Sequence, residues 1–214
     1  GRMERFSQFA LLAANEAITT SGLKTCKEDW SENAGIILGS SIGGIETINY
    51  SYKQVFEEGH NRLHPLTIPK IMNNSATSLI SIEYQIRGPS FTVSSACSSA
   101  NHAMGLAYET IKSRKSEVMI TGGSESFLSF GGIKPWESLR VLSQSKCRPF
   151  SKGRDGLVHG EGAGIFVFES LESAKKRRAT IIAEVVGFSM SSDASDLIKP
   201  NNIGPKKALR GVLK

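Results

Sequence analysis

An α/β fold with parallel, βαβ-type organisation is predicted by three observations. Short apolar runs bounded by glycine, at 34–39, 91–95 and 117–123, read as buried strands. The segments between them carry apolar residues at helical spacing, the alternation that a parallel sheet with helical crossovers requires. In the stretch GPSFTVSSACSSANHAMG, residues 88–105, a strand, a small-residue turn and a helix follow one another, with Cys97 at the turn.

The elements follow in order. Residues 3–21 form an amphipathic helix with Phe6, Phe9, Leu12, Ala13 and Ala17 on its buried side and Gly22 at its end. A polar loop over 24–33 leads into the strand at 34–39. The turn at 40–44, SSIGG, enters a helix through Ile45, Ile48 and Tyr52; it has neither the lysine of a P-loop nor G-x-G-x-x-G spacing, so no nucleotide site is expected. Residues 57–64 are polar loop. His60 and His64 lie four apart, yet Gly59 and Pro65 oppose a continuous helix and no third ligand is near, so they read as surface residues. A helix over 74–84 buries Ala76, Leu79, Ile80 and Tyr84. Beyond the strand at 91–95, Ser98 and Ser99 suit a helix start, and Ala100, Ala103, Met104, Ala107, Tyr108 and Ile111 continue the helix. Strands are expected at 117–123, 165–168 and 180–188, with a helix over 170–178 whose basic residues, Lys175 to Arg178, read as a solvated face. No repeat or linker interrupts the chain, which reads as one continuous domain.

Composition narrows the functional classes. The 214 residues are 39% hydrophobic and 21% charged, enough for a real core. No apolar run approaches a membrane span, and no charged-then-apolar leader is visible. A formal charge of +6 suits an acidic partner. Nucleic acid is not favoured, because no basic run with interleaved aromatics is present. Three widely spaced cysteines argue against a disulfide framework and for a reducing compartment, hence the cytoplasm. Cys26 and Cys147 read as structural. Cys97 differs: the unpaired N–H groups and positive end of a helix favour a thiolate there, and small neighbours leave room for a substrate. Taken alone, a single cysteine is more often a small buried hydrophobe than a nucleophile.

The spacing of Gly88, Val93, Ala96-Cys97-Ser98-Ser99-Ala100 and Met104 resembles the active-site segment of the β-ketoacyl-[acyl carrier protein] synthases. The later succession Arg148-Pro149-Phe150, Arg154-Asp155-Gly156 and Gly160-Glu161-Gly162-Ala163-Gly164 is similar to theirs as well. Its glycines are expected to permit tight turns and close packing. The resemblance is nearest the elongating type-II enzymes and their nodulation-type relatives.

That resemblance implies a thiolase-like layered α-β-α-β-α sandwich. Residues 1–214 would be a partial ketosynthase domain, lacking the first strand and the C-terminal half of the duplicated fold. It implies Cys97 as the catalytic nucleophile, Ile42 as a pocket residue limiting chain length, and Trp136 on the acyl channel. Ile68 and Ile71 match positions lent to a neighbour's pocket, Glu125 a structural carboxylate, and residues 191–194 a segment near the pocket mouth. The implied partners are acyl carrier protein bearing acyl and malonyl groups, and a second copy pairing through 91–95. No cofactor and no metal is implied. The family's two catalytic histidines and its lysine belong to the other half. His60, His64, His102 and His159 lie in none of their motifs, and His102 is expected to point away from the thiol.

The implied reaction is 3-oxoacyl-[acyl carrier protein] synthesis: acyl transfer to Cys97, then decarboxylating condensation with malonyl carrier in fatty acid elongation. The competing readings are a non-catalytic chain-length partner, which usually replaces the nucleophile, and another thiolase-fold acyltransferase. A cysteine hydrolase needs a histidine base in recognisable context, which is missing.

Overall fold

The computed structural model describes residues 3–23 and 29–213, so Cys26 and the first half of the expected loop at 24–33 lie outside the described residues. Four strands form one sheet in the order β2-β1-β3-β4: β1 (Gly35–Gly39), β2 (Ser90–Val93), β3 (Val118–Glu125) and β4 (Gly162–Glu169). β1 pairs in parallel with β2 and with β3, as the alternation predicts; β4 returns antiparallel to β3.

Side chains alternate across the sheet and define two cores. Ile36 and Leu38 of β1, with Val118 and Ile120 of β3, face α1 (Arg5–Thr20) and α4 (Ser75–Tyr84). Ile37 and Met119 face the opposite way, onto Ala103 and Ala107 of α5 (Ser99–Lys112). Helices thus cover both faces of a sheet whose central strands, β1 along its whole length and β3 over Val118–Thr121, are buried on two sides.

α1 lies across β3 and β4, with Phe6, Ala10, Ala14 and Ile18 buried against Ile165 and Val167. The predicted stripe is therefore displaced. Phe6 is buried, Phe9, Ala13 and Ala17 are half-buried, and Leu12 is exposed. The small side chains of Ala10 and Ala14 let the helix approach the sheet closely, and that approach selects the i, i+4 row over the bulkier Leu12. Gly22, at φ +78°, closes the helix as expected. Buried Glu4 does not cap α1; its carboxylate accepts from Thr47 N–H (3.1 Å) and the Thr47 hydroxyl, and so caps α2 (Ile45–Phe56) from across the fold.

α4 buries Ala76, Thr77 and Ile80, while Leu79 and Tyr84 are half-buried. α3 (Thr67–Ile71) buries nothing, and α6 (Phe130–Ser138) carries Pro135 within it. His60 and His64 are exposed in loop, and the described residues contain no metal-ligand cluster.

Three further expectations change. β2 is not a buried strand: it forms the edge of the sheet, and Phe91 is 43% exposed. Residues 180–188 form no strand. The sequence is apolar and β-branched, but no described strand lies beside it to supply a ladder, and Ile182 is 91% exposed. Arg177, next to α7 (Leu171–Lys176), is not solvated. Its guanidinium forks onto Glu169 (2.8 and 2.6 Å) and donates to Ser21 C=O (2.6 Å), tying β4 to the end of α1. α8 (Ile203–Val212) ends the described chain.

Candidate active site

The pairing of β1 with β3 ends at Gly39 and Gly123, and the first turn of α5 rests on both. A side chain at Gly39 would run into the backbone of Ser99 and Ala100; one at Gly123 would sit 2.7 Å from Ala100 Cβ. These glycines are needed for space, and they bring the start of α5 to the carboxyl ends of parallel strands. In α/β sheets that is where ligands bind.

Between β2 and α5 the chain makes a sharp turn. Ala96 has φ +49°, a left-handed conformation unusual for a residue with a side chain, and the next residue, Cys97, is exposed with a free thiol. The flanking serines enforce the turn. Ser95 N–H donates to Ser99 Oγ (2.9 Å), Ser99 Oγ donates to Ala96 C=O (2.6 Å), and Ser98 Oγ donates to Ser95 C=O (2.8 Å). Ser98 and Ser99 therefore brace the turn backwards; no side chain caps α5.

The 40–44 loop runs alongside. Glu125, at the end of β3, accepts from Ser41 N–H (2.7 Å), the Ser41 hydroxyl, Ile42 N–H (3.3 Å) and Ser40 Oγ (3.4 Å). Asn73 Nδ2 donates to Ser40 C=O (3.4 Å), and Gly44 N–H donates to Ile71 C=O (3.3 Å). Ser94 Oγ donates to Ser41 C=O (3.3 Å), joining this loop to the chain entering the Cys97 turn.

The segments bearing Cys97, Ile42 and Ile71 thus meet; the Ile42 and Ile71 side chains are half-buried. Ile68 stands on α3, 61% exposed, and Trp136 on α6; among the described residues no hydrogen bond or ring contact joins either to the Cys97 turn. Trp136 instead meets the ring of His159 (centroids 4.7 Å), which also meets Phe127 (4.8 Å); His159 Nε2 is buried without a hydrogen-bond partner among the described residues.

In the later motif, the hydroxyl of Ser143 holds the Asp155 carboxyl below the usual carboxylate range, with Ser145 and Arg148 adding to it. Gly156 abuts the backbone of 141–143, as expected of a tight turn. Gly160, Gly162 and Gly164 face open space, contrary to the expected close packing. Two bridging residues escaped the sequence reading. Asn73 carries no local signal. His102 was placed by helical geometry relative to Cys97, whereas its partner is Ser95 (Oγ···Nδ1 2.7 Å), seven residues and two turns back.

An exposed cysteine on a left-handed strand-to-helix turn stands at the carboxyl edge of the parallel strands, where a ligand can reach its thiol. The comparisons with known proteins give the family. Residues 1–174 match the β-ketoacyl synthase N-terminal domain, and the chain belongs to that family. It is 44% identical over 211 residues to nodulation protein E of Rhizobium sp. (strain N33), covering 99% of this chain and 52% of that protein. It is 38% identical over 204 residues to the 3-oxoacyl-[acyl-carrier-protein] synthase 2 of Staphylococcus aureus, covering 93% and 50%. The ishigamide ketosynthase/chain length factor superposes with TM-score 0.92 at 30% identity, covering 99% and 53%. The fold is therefore the thiolase-like α/β sandwich of ketosynthases, and the chain spans about half the length of the curated relatives it matches.

Proposed function

We propose that this chain carries the nucleophile of a 3-oxoacyl-[acyl carrier protein] synthase, and that the nucleophile is Cys97. The observation that supports this most is the exposed thiol after Ala96, on a turn fastened by the hydroxyls of Ser98 and Ser99. In the first step Cys97 Sγ attacks the acyl-carrier thioester. The Sγ–acyl bond forms, the carrier's thioester bond breaks, and the carrier thiol leaves with the proton of Cys97. The backbone N–H of Cys97 contributes to stabilising the tetrahedral intermediate. In the second, malonyl carrier loses carbon dioxide and its enolate attacks the Cys97 thioester. The 3-oxoacyl carrier forms and the thiolate is released. The groups that hold the malonyl thioester belong, by family resemblance, to the half of the family that this chain does not match.

On this reading Ile42 and Trp136 bound the acyl chain. Ile68 and Ile71, exposed or half-buried on a helix that buries nothing, complete a second copy's pocket. The unpaired edge of β2 supports a homodimer joined strand to strand. Acyl carrier protein as partner is supported by the name of the S. aureus relative and by the positive charge here. The cytoplasmic address is supported by the free thiols of Cys97 and Cys147.

The test is intact mass after incubation with long-chain acyl carrier protein, beside Cys97→Ala. The expected result is a thioester adduct that is absent from the variant. A folded chain with no adduct would leave Cys97 without the proposed role and favour the chain-length partner. An adduct that persists in Cys97→Ala would assign the nucleophile elsewhere.

A further inference from the structure

Beside the nucleophile turn is an imidazole to which the reaction as described gives no task. His102, half-buried one turn into α5, has Nδ1 at 2.7 Å from Ser95 Oγ, and its own N–H donates to Ser98 C=O (3.0 Å). Ser95 lies two residues before Cys97, on the far side of left-handed Ala96. The bond therefore spans the turn, from the exit of β2 to the first turn of the helix.

The outer side of the imidazole is also occupied. Phe188 meets it edge to face (centroids 6.4 Å), and the Phe188 ring lies where any side chain at Gly105 would be. Tyr108 Oη donates to Val186 C=O (3.3 Å), which fixes the same segment along α5. The stretch around 180–188, which pairs with no strand, thus delivers one aromatic ring to the back of His102.

We propose that His102 is a positioning residue for Cys97: seated by Phe188, it holds Ser95 so that Ala96 stays left-handed and the thiol stays at the start of α5. His102 touches neither substrate nor thiol in this role. An Ala residue at positive φ persists only where its surroundings impose that conformation, and the Ser95–His102 bond adds to the Ser98 and Ser99 bonds the one restraint on the turn that comes from an aromatic side chain packed on its outer side.

This inference rests on the reading of Cys97 as the nucleophile, so its test uses a reagent that needs no carrier. Alkylation by iodoacetamide would be followed at the Cys97 peptide by mass spectrometry, which separates it from Cys26 and Cys147. Thermal melts monitored by circular dichroism would run in parallel. His102→Ala and Ser95→Ala should each slow alkylation by about fivefold, the weight of one ordinary hydrogen bond, and the double variant should lose no more than either. His102→Asn should restore the rate, because an asparagine amide reaches the place of Nδ1. His102→Gln, whose amide reaches the place of Nε2, should not. An unchanged or faster rate in Ser95→Ala, which removes one hydroxyl from a folded chain, overturns the proposal. So do losses that multiply in the double variant, or an Asn variant no better than Ala. Wild-type protein that alkylates at Cys97 but takes no acyl group would instead count against the synthase reading alone.

Discussion

The start of α5 is held so close to the sheet that a single methyl group should be felt there. In Gly123→Ala the new Cβ would lie 2.7 Å from Ala100 Cβ and 3.0 Å from Gly39 C=O. Carbon atoms in contact prefer about 3.5–4.0 Å, so the Ala100 pair is roughly 1 Å too close, and overpacking of this kind costs about 1–3 kcal/mol. Ala100→Gly alone should cost about 1 kcal/mol through helix propensity. Because it removes the atom that Gly123→Ala strikes, the double variant should recover about 1–2 kcal/mol relative to the sum. Gly39→Ala is the control: its obstruction is the Ser99–Ala100 backbone, which Ala100→Gly leaves in place. Urea denaturation at constant m-value compares wild type, the three single variants and the two double variants that carry Ala100→Gly; with m of about 2 kcal/mol/M the recovery is roughly 0.5–1 M in midpoint. Additivity within about 0.5 kcal/mol at the 100/123 pair would refute the claim that Ala100 sets how closely the helix approaches.

Two other substitutions probe the supports. Glu125→Ala leaves Ser41 N–H without its acceptor and should cost about 2–3 kcal/mol, with new proteolytic cleavage in 40–44; Glu125→Gln, which can still accept from Ser41, should lose about half as much. Arg177→Ala strands the Glu169 carboxylate, which is only 7% exposed, and should lower stability by about 3 kcal/mol in chemical denaturation. Arg177→Lys should recover only part of it, having no fork; an Arg177→Ala loss below about 1 kcal/mol would remove this bridge from the account.

What could be read from the sequence was whatever depends on near neighbours. Helix α5, strands β1 and β3 and the turn carrying Cys97 are written in local periodicity and small-residue spacing, and they stand where expected. What depends on partners was hidden. The apolar content of 91–95 and 180–188 gives a buried strand in either case, but the burial of β2 and the pairing of 180–188 are decided by what lies alongside. Leu12 was misassigned for a related reason: hydrophobicity placed it inside, while the fit of Ala10 and Ala14 against the sheet turned the helix the other way. Arg177 sat in a basic run that looked solvated, and only the fold brings Glu169 and Ser21 to it.

The packing of α1 on β4 has a consequence for biosynthesis. The first helix closes over a strand made roughly 150 residues later, so at about 5–20 residues per second it leaves the ribosome some ten to thirty seconds before that strand does. During that interval Phe6 and Ile18 lack the part of their cover that Ile165 and Val167 supply, and β3 itself follows α1 by roughly 100 residues. A topology that packs a helix on a strand so far along the chain has high contact order and folds slowly. The exposed stripe of the nascent helix is then the part of this chain most in need of a chaperone.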